Sequence, residues 1–218
     1  MPLTSYEHDR RHGEMDQVLR AYAGQPADDT DEKPSTALTA YLRQTWHTRP
    51  WALATAEVQV REYARNPPGR LRAQVGEYYD LPDVGLPDER ILGWLTVVAD
   101  HIRRSVEEGV VPPPAVPETH WEWHARFPEL GQLLGGWFSQ DMPDEFADHD
   151  TALEDYRTST DSHLVARVVG EVHALLALRL SESEYAVATA ELGQEVEPPA
   201  AHAPSAWLLS IAERLRTA

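Results

Sequence analysis

His120 and His124 stand four residues apart in the run HWEWH, a spacing that would put two imidazoles on one face of a helix, with Glu122 between them. Zinc hydrolases use such a pair, but they place the catalytic Glu directly after the first His, and here that position is Trp121. His8 and His12 repeat the spacing, but near a terminus, which makes them the weaker pair. The chain has no cysteine, so thiolate chemistry and disulfides are excluded and any zinc site would need His and carboxylates alone. Gly135-Gly136 precedes no Lys-bearing helix of the kind a phosphate cradle requires, which leaves close helix packing or a local kink as its reading. No Ser occupies a nucleophile-elbow context. The sequence therefore nominates no catalytic residue, no metal and no cofactor.

What it does concentrate is carboxylates. Asp141, Asp144, Glu145, Asp148, Asp150, Glu154 and Asp155 fall within fifteen residues, in a chain of net charge −17. Residues 126–218 hold 16 of the 36 acidic side chains but only six of the 19 basic ones, so the carboxy-terminal part is the more acidic for its length. Such a field opposes nucleic-acid binding, which depends on Lys and Arg displacing counterions from phosphates. It favours a basic protein partner through faster, steered association, with plain solubility as the competing explanation. Lys33 is the sole lysine, the other cations being Arg.

The carboxylates need elements to carry them, and the apolar spacing is helical throughout. Helices are predicted from Tyr6 to Tyr22 after Ser5 as a cap, from Ser35 through Leu38, Tyr41, Leu42 and Trp46, and from Ala52 to Asn66. A short helix is expected over residues 70–81 with Leu71, Val75, Tyr78 and Tyr79, and a long one after Pro87 that Gly109 ends. In the carboxy-terminal part, Pro128 opens a helix whose Leu130, Leu133, Leu134 and Trp137 share one face. It runs into the acidic loop DMPDEFADHD. Further helices are expected at Ala152–Tyr156, at Ser162–Leu180, from a Ser181/Glu184 capping box to Gly193, and after Ser205 as a cap. No stretch alternates as a half-buried strand would, so the fold is read as all-α. No apolar run reaches the roughly 18 to 20 residues of a membrane span, and the first residues lack a signal-peptide core, which predicts a cytoplasmic protein without membrane contact.

The chain divides at composition breaks: residues 1–34 as a helix and acidic linker, 35–109 as a helical module, 110–125 as a Pro/Trp-rich linker with four prolines in VVPPPAVPET, and 126–218 as a second helical module. Leu38, Tyr41, Leu42 and Trp46 echo Leu130, Leu133, Leu134 and Trp137. LRAQVGE at 71–77 likewise echoes LVARVVGE at 164–171, and WLTVVADHI from Trp94 echoes WLLSIAERL from Trp207. These matches point to two similar helical bundles, the alternative being the likeness that all amphipathic helices share.

FPEL at Phe127–Leu130, Gly136-Trp137-Phe138 followed by Gln140-Asp141, the acidic loop with its Ala152–Tyr156 helix, LLALRLSESEY, and the late Trp207 helix occur together in order. By these residues the segment 126–218 resembles the immunity proteins of contact-dependent growth inhibition, the CdiI type, with Ser139 standing where that pattern has a His. The resemblance implies a small, non-enzymatic helical inhibitor that binds a cognate toxin domain, often a nuclease, and covers its active site. A nuclease presents Arg, Lys and His meant for phosphate, and carboxylates can take the same groups. The expected partner-binding residues are thus Trp137 and Phe138 at the loop's edge with Asp141, Asp144, Glu145, Asp148, Asp150, Glu154 and Asp155; the bland alternative is a solvated loop capping two helices. A helical adaptor or scaffold with no toxin partner is the second functional reading, and a metal-dependent hydrolase a distant third.

Overall fold

Prolines and glycines set many of the helix ends in the computed structural model, which describes residues 5–67, 84–200 and 202–216. The described residues form helices and no strand, so the fold is all-α. The expected helix at 70–81, its LRAQVGE match and Pro68-Gly69 lie outside the described residues. By contacts the chain separates into two compact units, Met1–Glu122 and Trp123–Ala218.

The first unit contains α1 (Ser5–Arg20), α2 (Thr36–Thr48), α3 (Pro50–Arg65) and α4 (Asp88–Glu108). Ser35 caps α2 by accepting the Leu38 N–H at 3.1 Å, and Pro50, which cannot extend α2, opens α3 instead. Gly109 closes α4 in the left-handed region at φ 62°. α3 packs most extensively on α4, and α1 lies against α3. Met15, Val18 and Leu19 are fully buried, so α1 is a docked helix and not a loose arm. Residues 23–34, expected as a polar linker, are tied down at Asp29. Its carboxylate accepts Tyr22 Oη–H (2.8 Å), Trp94 Nε1–H (2.9 Å) and the Ser35 N–H (2.7 Å).

α5 (His120–Arg126) falls in the stretch expected as linker and includes the point of division. The second unit continues with α6 (Pro128–Trp137), α7 (Met142–Glu145), α8 (His149–Ser159), α9 (Ser162–Leu176), α10 (Glu182–Glu191) and α11 (Pro204–Arg216). α11 packs on α8, α9 and α10, and its Trp207, Leu208, Ile211 and Ala212 form the centre of the core. α6 lies against α8 and α9 with Leu130, Leu133 and Leu134 fully buried.

Several expected boundaries shift by a few residues, three of them for a visible reason. α9 stops at Leu176, four residues early. A tight turn follows, with Arg179 at φ 54°, and it folds Leu178 and Leu180 back against the core. α8 begins at His149 because Asp148 caps it, a signal the apolar spacing does not carry. Ser205 lies within the first turn of α11 and does not cap it; its N–H and hydroxyl both donate to Glu182. The capping box at Ser181 and Glu184 forms as expected.

Candidate functional site

Phe138 governs where the acidic segment lies. At the end of α6 its ring is fully buried, stacked on His149 (5.7 Å between centroids) and edge-on to Trp207 (5.7 Å). Its carbonyl accepts two backbone N–H groups, from Glu195 (2.9 Å) and Val196 (3.1 Å). His149 closes the other end of the turn: its Nε2–H donates to the Glu197 carbonyl at 2.9 Å. The Gln140 N–H donates to Glu195 Oε2 at 2.8 Å, and Met142 is buried beneath. Residues 139–148 are therefore fixed at both ends against the 195–197 segment, which the sequence reads as plain loop.

Gly135 lies at a close approach, but the glycine that this approach requires is Gly193, since a Cβ on Gly135 itself would meet nothing nearer than 3.7 Å. A Cβ on Gly193, itself at φ 97°, would stand 2.8 Å from the Gly135 α-carbon, so α6 and the turn after α10 approach backbone to backbone. Gly136 has open space around it.

The seven carboxylates divide into two groups. Asp148 Oδ1 accepts the Thr151 N–H and hydroxyl, both at 2.8 Å, and these bonds hold its carboxyl below the usual range. Asp150 pairs with Arg214. Glu154 takes Arg157 side-on, Nε to Oε2 at 2.8 Å, which lowers its pKa. Asp155 Oδ2 accepts Trp137 Nε1–H at 2.9 Å. By contrast, Asp141, Asp144 and Glu145 are exposed, and among the described residues their carboxylates have no hydrogen-bond or ion-pair partner. Periodicity and composition could not make this division, because it depends on where Arg157 and Arg214 come to lie.

The two aromatics expected at the edge also part. Trp137 is half-buried, its ring edge-on to Tyr156 at 4.8 Å, and keeps an exposed margin. Phe138 offers no surface and supports the turn from beneath. His124 turns its Nε2 to the Glu191 carbonyl at 2.9 Å, beside Gly131, where a Cβ would meet its ring at 3.0 Å. Among the described residues, no group of three or more His, Asp or Glu could hold a metal ion, and no helix is long and apolar enough to cross a membrane.

Residues 123–218 thus form an acidic helical unit with a rigidly mounted anionic turn, an arrangement suited to binding. Residues 126–215 match the family model of the CdiI immunity protein, which supports an immunity role for this part of the chain. Residues 1–125 lie outside the match. No curated protein and no solved structure matches the chain.

Proposed function

We propose that the chain is an antitoxin-type immunity protein that neutralises a cognate toxin domain, a basic one such as a nuclease, by stoichiometric binding that covers its active site with acidic surface. The observation that carries this reading is the family match over residues 126–215. The geometry supports a division of labour. Asp141, Asp144 and Glu145, exposed and unpaired on a fixed turn, steer a basic partner and receive its cations. Asp150 and Glu154 are held by surface arginines in pairs that contribute little to stability, so a partner's arginines can replace them. Asp148 and Asp155 add to the field while capping α8 and fixing Trp137. The exposed margin of Trp137 supplies an aromatic contact at the rim, and Phe138 holds the turn in register. The protein acts in the cytoplasm and needs no cofactor, nucleic acid or membrane.

The parallel between Leu38–Trp46 and Leu130–Trp137, with Leu38 and Tyr41 as fully buried as Leu130 and Leu133, supports reading residues 35–109 as a related module. Co-expression with the toxin domain encoded beside this chain tests the function. Pull-down of the pair and rescue of growth are the expected results. Growth arrest despite soluble chain would leave the adaptor reading in its place.

A further inference from the structure

We propose that the chain pairs with a second copy of itself through α1 and α3, the Trp51 indole of each copy entering a groove on the other; the pairing is independent of the immunity reading. Of the seven tryptophans, Trp51 alone is exposed, at 66%, on the first turn of α3. Ala54, Thr55 and Val58 continue the exposed stripe at spacings of three, four and seven, with Val58 58% exposed. There a groove of about 640 Å³ opens between α3 and α1, floored by Ala54, Thr55 and Val58 and rimmed by Glu62, Arg10 and Arg11.

The groove supplies what an indole needs. Val58 gives the ring an apolar floor, the Glu62 carboxylate can accept its N–H, and the Arg10 and Arg11 guanidinium groups can lie on its face. Both arginines flank the Glu62 end: the Arg10 carbonyl accepts Gln59 Nε2–H at 3.2 Å, and Arg11 shares a smaller hollow with Glu62. None of these three charged side chains has a hydrogen-bond or ion-pair partner among the described residues. The chain's own Trp51 cannot fill the site. Glu62 stands eleven residues, roughly 16 Å, further along α3, and helical side chains lean towards the N-terminus, away from the groove. A second copy can. With two α3 helices antiparallel about a two-fold axis between residues 56 and 57, Trp51 meets Glu62 and Thr55 meets Val58, each contact occurring twice as an isologous interface requires. The same lean now carries Trp51 towards the Glu62 end of the second copy, and the small Ala54 and Thr55 beside the axis let the helices approach. Tryptophan and arginine are also the side chains that most often anchor interfaces. Two 16-residue helices, each roughly 24 Å long and 10 Å across, present about 500 Å² per copy, the scale of weak, reversible association.

Sedimentation velocity of the full chain from about 1 to about 300 µM tests the pairing. Wild type is expected to pass from monomer to dimer across that range. Trp51→Ala and Val58→Arg should each weaken dimerisation by about tenfold or more, with unfolding midpoints unchanged because both positions are exposed. The register has its own test, clean because the chain lacks cysteine. Thr55→Cys puts two thiols beside the axis and should give a covalent dimer with a short bismaleimide, whereas Val187→Cys, exposed in the second unit, should not. Wild type that stays monomeric at the highest concentration overturns the inference. So does a dimer that both Trp51→Ala and Val58→Arg keep, or a Thr55→Cys cross-link no stronger than that of Val187→Cys. Monomeric wild type whose Trp51→Ala variant loses toxin binding would give the groove to the toxin instead.

Discussion

Gly193 and Gly135 touch through their backbones: a side chain at 193 would have to begin 2.8 Å from the Gly135 α-carbon, at a φ of 97° that L residues rarely adopt. Both the contact and the torsion oppose substitution. Gly193→Ala is expected to destabilise the protein by about 1–3 kcal/mol from strain in the left-handed region, with the clash added. Gly136→Ala, one residue from the contact and in open space within a helix, should be neutral or stabilising by up to ~1 kcal/mol. Denaturant unfolding of the two variants checks the pair. Equal effects would mean that Gly193 is not in contact with α6.

Arg43 and Glu122 form the most buried ion pair described, Nε to Oε1 at 2.7 Å and Nη2 to Oε2 at 2.8 Å, with side chains 9% and 2% exposed. Glu122 also accepts the Glu118 N–H at 2.9 Å, and the hydrogen bond to Glu122 raises the arginine's pKa. Arg43→Met strands a buried carboxylate and should cost about 3–5 kcal/mol. Arg43→Met with Glu122→Gln removes both charges and should recover much of that loss. A double-mutant cycle by thermal unfolding measures the coupling; additive effects would show that the pair does not act as one.

For the acidic turn, composition suggests reversing any of its charges, whereas the geometry separates them. Asp141→Arg, Asp144→Arg and Glu145→Arg together alter no described side-chain contact. They should slow toxin association several-fold at low salt, with less effect at high salt and an unchanged unfolding midpoint. Asp148→Ala deletes the α8 cap and should lower the midpoint. Stopped-flow association paired with calorimetric unfolding separates the two. Unchanged association in the triple variant removes the turn from the interface.

The helical class, most helix positions and the capping box were legible because they follow from local rules: proline at starts, glycine at stops, apolar residues at three and four. Leu130, Leu133 and Leu134 are buried as their spacing implies. The roles of Phe138 and Asp148 were not legible, since an aromatic and a carboxylate in a loop look alike whether they face solvent or hold it together. Phe138 is buried by His149 and Trp207, the latter 69 positions along the chain, and no local pattern encodes that meeting. The groove between α1 and α3 was hidden for the same reason: Arg10 and Arg11 belong to one helix, Val58 and Glu62 to another, and only the packing of the two brings them together.

Glu171 carries a pH signature. From α9 its Oε2 accepts the Leu130 N–H at 2.8 Å, satisfying one of the unpaired donors at the start of α6. Burial nevertheless outweighs that bond and raises the carboxyl's pKa above its ordinary value. A raised carboxyl pKa means that the folded state holds its proton to higher pH than the unfolded chain does. The contribution to stability is then full below the unfolded value, about 4.3, and is lost as pH rises through the folded one. Glu171→Gln keeps an oxygen for the Leu130 N–H and cannot ionise, so relative to wild type it should gain stability as pH is raised from 4 to 7. Glu129 and Arg167 are present in both proteins, but their interactions with the Glu171 carboxylate exist only in wild type and belong to the measured difference, Glu129 adding to the effect of burial and Arg167 opposing it. Urea unfolding at each pH provides the curve. A variant that instead loses ground towards pH 7 would show that the attraction between the Glu171 carboxylate and the start of α6 exceeds its burial cost.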